Sequence, residues 1–168
     1  LDDAPFTCGT RMDLNGDGLD DLLLADADPR PQVVVALGNG AGGFARVLRT
    51  EFDIPDYTPS TGSAARALHG VSRSDTAERQ LVLILAGDSS KTGTPGVVAT
   101  LDFDRQTGML RAPRATQIER FVGEVIQTSA LGRLDQDAIP ELVLGLRDKP
   151  STSRSNTPVV LNWQTGAY

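Results

Sequence analysis

The chain alternates between short runs of hydrophobic residues and clusters of Gly, Pro, Asn and Asp. The run at residues 22–25 is too short for a helix and is typical of a strand that is buried on both faces. A short strand is predicted before it at 5–12, and two more after it at 32–37 and 44–52. Four strands joined by short turns predict one antiparallel meander sheet, and the pattern contains no convincing amphipathic helix.

The rest of the chain repeats this plan. The run at 22–25 recurs at 81–85 and at 142–145, with spacings of 59 and 61 residues (81 − 22 and 142 − 81). Three tandem copies of one β-unit are the simplest account, so the sequence predicts an all-β fold. A second hydrophobic run, each time followed by a glycine-bearing turn, lies at 33–37, 97–101 and 159–163.

The three copies are expected to form a single repeat domain over residues 1–168. The predicted units, each one sheet, occupy 5–57, 64–120 and 122–168. Composition also predicts turn-rich joints, which lie at 55–63, 87–95 and 149–158.

Composition sets limits on the class of protein. A hydrophobic fraction of 39% with 23% charged residues is enough to build a core, and 168 residues suit one domain. A net charge of −6 disfavours a nucleic-acid partner, because phosphate binding depends on Lys and Arg. No hydrophobic run approaches the roughly 18–20 residues of a membrane span. Cys8, the single cysteine, excludes an intrachain disulfide and is interpreted as a small buried residue, with an interchain bond as the alternative.

A loop between the first two predicted strands carries the most specific chemistry. Gly16 and Gly18 permit the positive φ values that curl its oxygen-bearing side chains around one point. Carboxylate and carbonyl oxygens that converge are the ligands of a hard cation, and Ca²⁺ takes roughly 6–8 of them. The sequence therefore predicts a calcium site. Its side-chain ligands stand at loop positions 1, 3, 5 and 9, which are Asp13, Asn15, Asp17 and Asp21.

Two other interpretations of the loop remain. It opens like the calcium loop of a helix-loop-helix module, but Asp21 arrives three positions early and runs into a strand pattern, which disfavours that module. A tight Asx or Asn-Gly turn with solvated acids is the structural alternative, because Asn and Asp side chains readily hydrogen-bond the backbone of a turn. Calcium is the preferred interpretation, since four oxygen-bearing side chains share the loop.

The unit formed by residues 12–24 and 33–44 resembles the FG-GAP/VCBS repeat of integrin-α-type β-propellers. The resemblance implies antiparallel four-stranded blades with a calcium ion in the D-x-[DN]-x-D-G-x-x-D loop between the first two strands. It also implies that the Leu19 carbonyl oxygen is a backbone ligand beside the four side chains. The match is specific over 12–44 and only topological in the other two copies. The expected fold is therefore a partial propeller of three FG-GAP-type repeats.

The corresponding loops of the other copies depart from this pattern. The third copy has Arg133 at the first ligand position, and a cation there repels Ca²⁺. Arg133 could instead be a counter-charge among the three acids. No tight metal site is therefore expected in this copy, and weak occupancy is the alternative. The second copy has no acid at these positions and should bind no metal. The residues concerned are Arg133, Asp135, Asp137 and Glu141 in the third copy, and Ser72, Ser74, Thr76 and Gln80 in the second.

No catalytic residue is predicted. His69 is the only histidine and has no evident nucleophile or metal ligand as a partner, so a structural role is favoured. Trp163 lies beside Val and Leu in a predicted strand, which favours packing over sugar stacking. The glycine-rich turn at 38–43 lacks the following helix and Lys of a phosphate-binding loop.

The expected role is binding or assembly outside the cell, without catalysis and with Ca²⁺ as a structural ion. The expected partner is a protein or a second copy that contacts blade edges. An extracellular location is expected because extracellular modules tolerate calcium affinities of about 10⁻⁴–10⁻³ M, which the cytosol cannot saturate. A lectin propeller with a glycan ligand is one alternative, and an accessory module of a larger secreted hydrolase is another.

Three blades are too few to close a ring, because propellers have about 4–8. The third copy also ends before its outermost strand. That strand is expected to be missing, supplied by residues 1–6, or donated by another chain.

Overall fold

The computed structural model describes residues 6–27, 30–54, 57, 65–72, 79–86, 95–114, 118–121, 124–134, 140–148 and 156–161. In this part of the chain every regular element is a β-strand and every pairing is antiparallel, which confirms the predicted all-β class. None of these residues belongs to a helix long and apolar enough to cross a bilayer. The strands are β1 (Cys8–Met12), β2 (Asp21–Asp26), β3 (Gln32–Gly38), β4 (Phe44–Glu51), β5 (Ala65–Ser72), β6 (Arg79–Leu85), β7 (Gly96–Asp104), β8 (Met109–Leu110), β9 (Ile118–Phe121), β10 (Glu124–Gly132), β11 (Glu141–Asp148) and β12 (Asn156–Leu161).

The first sheet is a four-stranded meander in the order β1-β2-β3-β4. Its strands match the four that the hydrophobic pattern predicts. The β-branched and aliphatic side chains of β2 and β3 are largely buried, whereas β4 at the edge is mostly exposed. The glycine-rich turn between β3 and β4 is closed by Asn39, whose Oδ1 accepts hydrogen bonds from the backbone N–H groups of Ala41 and Gly43 at 2.8 and 3.1 Å.

The second sheet runs β5-β6-β7, and its outer edge is shared by two short strands. β8 pairs with β7 at Phe103 and Asp104, and β9 pairs with β7 from Gly96 to Ala99. The prediction of a single fourth strand is therefore wrong for this sheet. Pro113 lies between β8 and β9, and a proline cannot donate a ladder hydrogen bond, so it separates the two pairings.

The third sheet has the order β10-β11-β12, three strands in the described residues. The turn-rich joint predicted at 149–158 extends too far along the chain, because β12 begins at Asn156 and includes Pro158. Proline is tolerated there because, in the described residues, β12 pairs only with β11, so its other edge needs no donor. Residues 1–5 and 162–168 lie outside the described part, so the predicted fate of the outermost strand, and the position of Trp163, stay predictions.

The three sheets share the length of their first hairpin. In each, a residue of the first strand pairs with a leucine of the second strand that lies 11 positions further along the chain (22 − 11, 81 − 70 and 142 − 131). Leu22, Leu81 and Leu142 therefore occupy one equivalent position. On their other side these leucines pair with Ala36, Leu101 and Leu161 of β3, β7 and β12.

The side chains of β6 alternate between two hydrophobic clusters. Leu81, Leu83 and Leu85 pack with residues of the first sheet, and Val82 and Ile84 pack with residues of the third. Because successive residues of a strand point to opposite faces, the second sheet lies between the first and the third. The neighbouring sheets contribute Leu23, Ala25, Val33 and Val35 on one side and Ile126, Leu142, Leu144 and Leu146 on the other.

Candidate metal centre

The candidate loop joins β1 to β2, whose last paired residues are Met12 and Asp21. Gly16 and Gly18 have φ values of +83° and +85°, which confirms the backbone conformation expected of them. This left-handed region is costly for residues with a side chain, so the turn depends on these two glycines. The paired strand ends thus fix the loop at one edge of the first sheet.

Three oxygen-bearing side chains are directed into the loop. The Asp13 carboxylate accepts hydrogen bonds from the N–H groups of Gly16 at 2.6 Å, Asp17 at 3.1 Å and Gly18 at 3.1 Å. Asn15 Oδ1 accepts from Asp17 N at 2.9 Å, and Asp17 Oδ1 accepts from Leu19 N at 2.8 Å. The local geometry is that of successive Asx turns, which agrees with both the calcium loop and the simple turn as interpretations.

Asp21, the fourth predicted side-chain ligand, has a different environment. It is 1% exposed, and its two carboxylate oxygens accept hydrogen bonds from Leu14 N at 2.8 Å and Gly38 N at 2.9 Å. Asp21 therefore ties the start of the loop to the end of β3. Two backbone donors compensate the burial of its charge.

These four side chains have the chemistry of a calcium site. Across the described residues, no three His, Cys, Asp or Glu side chains form a group that would hold a metal ion. Asp13, Asp17 and Asp21 are thus not such a group in this arrangement. Each carboxylate still has lone pairs left for a cation, because its two oxygens offer about four acceptor sites. The hard oxygen donors fit Ca²⁺, and the ligand roles, including that of the Leu19 carbonyl, stay predictions.

Two arginines of the second sheet approach the loop. Arg79 Nη2 lies 3.7 Å from Asp13 Oδ2, and the two side chains are 23% and 24% exposed. The Arg105 guanidinium lies over Gly16, with Nη2 3.3 Å from the position that a Cβ would take there. Both positive charges reduce the negative potential of the loop and link it to the neighbouring sheet.

The equivalent position of the third sheet repeats the buried acid. Glu141 is 4% exposed, and its Oε2 accepts a hydrogen bond from Leu134 N at 2.6 Å. Leu134 precedes Glu141 by the same seven residues that separate Leu14 from Asp21. The spacing of the acids did not predict this shared hydrogen bond. The signal in the sequence was an acid directly before a leucine-rich run in both copies. Asp135 and Asp137 lie outside the described residues, so the predicted counter-charge role of the exposed Arg133 stays a prediction.

The second sheet has a neutral residue at this position. Gln80 Nε2 donates a hydrogen bond to Asp102 Oδ1 at 2.8 Å, across the β6–β7 pair. The side chain of Ser72, and Ser74 and Thr76 entirely, lie outside the described residues. The expectation that this loop binds no metal therefore stays a prediction.

His69 has a partner that the sequence did not reveal. Its Nε2 lies 2.8 Å from the Ser129 hydroxyl oxygen, which joins β5 of the second sheet to β10 of the third. Burial lowers the pKa of His69, so the ring is neutral near pH 7. The cause of this shift is burial. The pair is accordingly interpreted as a bridge between sheets.

Cys8 is a partly buried free thiol, as its apolar interpretation predicted. Burial, with a smaller contribution from the charge of Asp26, raises its pKa to about 11. The thiol is therefore protonated at neutral pH and is a poor nucleophile.

Comparisons with protein-family models, with curated proteins and with solved structures gave no match. The resemblance to FG-GAP/VCBS repeats accordingly rests on the residues of this chain alone.

Proposed function

We propose that this chain is an extracellular, calcium-binding repeat module of the β-propeller type, and that its role is binding or assembly rather than catalysis. The loop between β1 and β2 carries the proposal. In it, Asp13, Asn15 and Asp17 direct oxygens into one glycine-bearing turn. The equal first hairpins of the three sheets, and their stacking through two hydrophobic clusters, support the repeat interpretation.

Calcium in this loop would be held by Asp13, Asn15, Asp17, Asp21 and the Leu19 carbonyl, and it would neutralise the repulsion among the three acids. Its contribution would be to stability, because it would offset the repulsion among these acids in the folded loop. The proposed extracellular location rests on the weak calcium affinities of about 10⁻⁴–10⁻³ M that extracellular modules tolerate and that cytosolic calcium cannot saturate.

Thermal unfolding with Ca²⁺ and with chelator tests the calcium site. At free Ca²⁺ of about 100 times Kd, binding contributes about 2.7 kcal/mol, which raises the melting temperature by about 5–10 °C. Asp17→Ala should abolish this rise because it removes a predicted ligand. Arg79→Gln should strengthen calcium binding, since it removes the positive charge that competes for Asp13.

Asp104→Ala is the matched control. Asp104 Oδ1 also accepts hydrogen bonds from the backbone of its own turn, at Gln106 and Thr107, but Asp104 lies outside the loop. This variant should keep the full response to calcium. A melting curve of the unmodified chain that is identical in calcium and in chelator would overturn the calcium proposal.

A further inference from the structure

Two turns of the first sheet contain an asparagine that is followed by a glycine. One pair is Asn15-Gly16 in the loop between β1 and β2, and the other is Asn39-Gly40 in the turn between β3 and β4. In such a pair the backbone nitrogen of the glycine can attack the side-chain carbonyl carbon of the asparagine, because glycine has no Cβ to obstruct the approach. The two pairs share this chemistry, so their surroundings decide which of them reacts.

The side-chain oxygen of Asn39 is held by two backbone donors. Its Oδ1 accepts hydrogen bonds from the N–H groups of Ala41 at 2.8 Å and Gly43 at 3.1 Å. These donors also identify which amide atom is the oxygen, since a nitrogen with two hydrogens could not accept them. Attack on the carbonyl carbon moves negative charge onto this oxygen, and N–H groups that already point at it stabilise that charge as an oxyanion hole does.

The attacking and leaving nitrogens of this pair are not held in place. Within the described part of the chain, neither the backbone N–H of Gly40 nor Asn39 Nδ2 donates a hydrogen bond. Both residues are exposed, so water reaches the pair. The Asn39-Gly40 pair thus combines an activated carbonyl group with an unengaged nucleophile.

The Asn15-Gly16 pair is restrained at the corresponding atoms. The backbone nitrogen of Gly16 donates to Asp13 Oδ1 at 2.6 Å, and Asn15 Nδ2 donates to Asp17 Oδ2 at 2.9 Å. Attack requires the glycine nitrogen to lose its proton, and the resulting negative charge would lie beside the Asp13 carboxylate, which opposes it. Asn15 Oδ1 is held by one backbone donor, Asp17 N at 2.9 Å. The folded loop therefore protects this pair.

We propose that Asn39 is a site of spontaneous covalent modification, at which the backbone nitrogen of Gly40 closes a cyclic imide with the Asn39 side chain. The bond between Gly40 N and Asn39 Cγ forms and the Cγ–Nδ2 bond breaks. Nδ2 leaves as ammonia, which carries away the proton that the Gly40 amide gives up. Water then opens the imide at one of its two carbonyl carbons. Opening at Cγ leaves aspartate in a normal backbone, and opening at the backbone carbonyl leaves isoaspartate, in which the chain runs through Cγ.

The modified turn adjoins the candidate calcium loop. Leu19 Cδ2 lies 3.4 Å from the position that a Cβ would take at Gly40, and Asp21 Oδ1 accepts a hydrogen bond from Gly38 N at 2.9 Å. Aspartate at position 39 adds a negative charge to this turn, and isoaspartate adds a methylene group to its backbone. The modification therefore alters a turn that packs against the loop.

Incubation of the folded chain in alkaline buffer with chelator, followed by peptide mapping with mass spectrometry, tests the proposal. Replacement of NH₂ by OH changes the mass of the peptide that contains the reacting asparagine. Asn39 should react about tenfold or more faster than Asn15, because only Asn39 has the activated carbonyl group and the unengaged nucleophile. The same incubation in urea is the matched control, since both pairs should react at similar rates once their turns are unfolded. Equal rates in the folded chain, or a faster reaction at Asn15, would overturn the proposal.

Asp13→Asn tests the source of the protection. Asparagine at position 13 keeps a side-chain oxygen for the N–H of Gly16 but has no charge, so the reaction at Asn15 should accelerate while that at Asn39 stays the same. Far-UV circular dichroism checks that the variant is folded. An unchanged rate at Asn15 in the folded variant would contradict the role of the Asp13 charge, and the comparison of folded and urea-unfolded chain stands without this variant.

The calcium proposal and this modification fail separately, because every rate above is measured in chelator. Added Ca²⁺ should slow the reaction at Asn15 further, since Asn15 is a predicted ligand, and should leave Asn39 unchanged. A rate at Asn15 that ignores calcium would count against the metal site while the reaction at Asn39 still supports the modification. A slow reaction at Asn39 beside a calcium effect at Asn15 would do the reverse.

Discussion

Asp21 and Glu141 show how a buried acid serves the fold at one repeated position. Each directly precedes the equivalent leucine of its sheet, Leu22 or Leu142, and each accepts a hydrogen bond from a backbone N–H of the preceding loop. Burying a carboxylate is costly unless donors compensate it, and here the donors include the loop amides of Leu14 and Leu134. The last acid of the candidate calcium loop therefore has a structural role that does not depend on a metal.

Replacement of Asp21 tests this role. Asp21→Ala leaves the N–H groups of Leu14 and Gly38 without their acceptor and should lower the free energy of unfolding by about 2–4 kcal/mol. Urea unfolding in the presence of chelator measures this cost with any contribution from calcium removed.

Asp20→Ala is the control for that measurement. Asp20 pairs with Arg11 at 3.3 Å, but the two side chains are 59% and 81% exposed, so its loss should change stability by no more than about 0.5 kcal/mol. An equal loss of unfolding free energy in the two variants would contradict this role, because the buried hydrogen bonds of Asp21 would then contribute no more than the exposed ion pair of Asp20.

The strands that bury hydrophobic runs were predictable, and the two short edge strands of the second sheet were not. β6 coincides with an apolar run because its sheet packs against a neighbouring sheet on each face, and β2, β3 and β11 coincide with apolar runs whose buried side chains pack against the second sheet on one face. β8 and β9 are short and lie at an edge, so no continuous hydrophobic pattern marks them.

Contacts between sheets could not be predicted from the sequence either. The loop acids were identifiable from spacing, because all of them fall within nine residues. Arg79 beside Asp13, and Ser129 beside His69, depend on how separate sheets pack, over 66 and 60 residues of chain (79 − 13 and 129 − 69). No local pattern contains that information.

The bridge between β5 and β10 predicts a pH dependence of stability. Burial lowers the pKa of His69 below its usual value of 6.5 in the folded chain, so the unfolded chain binds the proton more readily. Stability is therefore complete above about pH 6.5 and should fall as the pH decreases from there towards the lower folded-state pKa. Urea midpoints measured between pH 7.5 and pH 5.5 follow this change.

His69→Gln separates the histidine from the other titrating groups. Glutamine does not titrate but can hydrogen-bond Ser129, so this variant should lose less stability over the same pH range. His69 is the only histidine, which makes the difference between the two pH profiles specific to it. Parallel profiles would contradict the assignment.

The three sheets are expected to unfold as one unit, because the middle sheet supplies both hydrophobic clusters. All five residues from Leu81 to Leu85 are fully buried, and their side chains alternate between the two neighbours. The backbone amides of β6 should consequently exchange with solvent only through global unfolding, whereas those of the edge strands β4 and β12 should exchange through local opening.

Truncation of two adjacent residues tests this cooperativity. Leu83 packs with the first sheet and Ile84 with the third, and both are 0% exposed. Leu83→Ala and Ile84→Ala should each cost about 2–5 kcal/mol, and each should reduce the protection of slowly exchanging amides in all three sheets by the same free energy. Hydrogen exchange followed by mass spectrometry measures this. Loss of protection in β10 to β12 alone in Ile84→Ala, with full protection kept in β1 to β4, would contradict this prediction. The sheets would then unfold independently, because a cavity on one side of β6 would not destabilise the sheet on the other side.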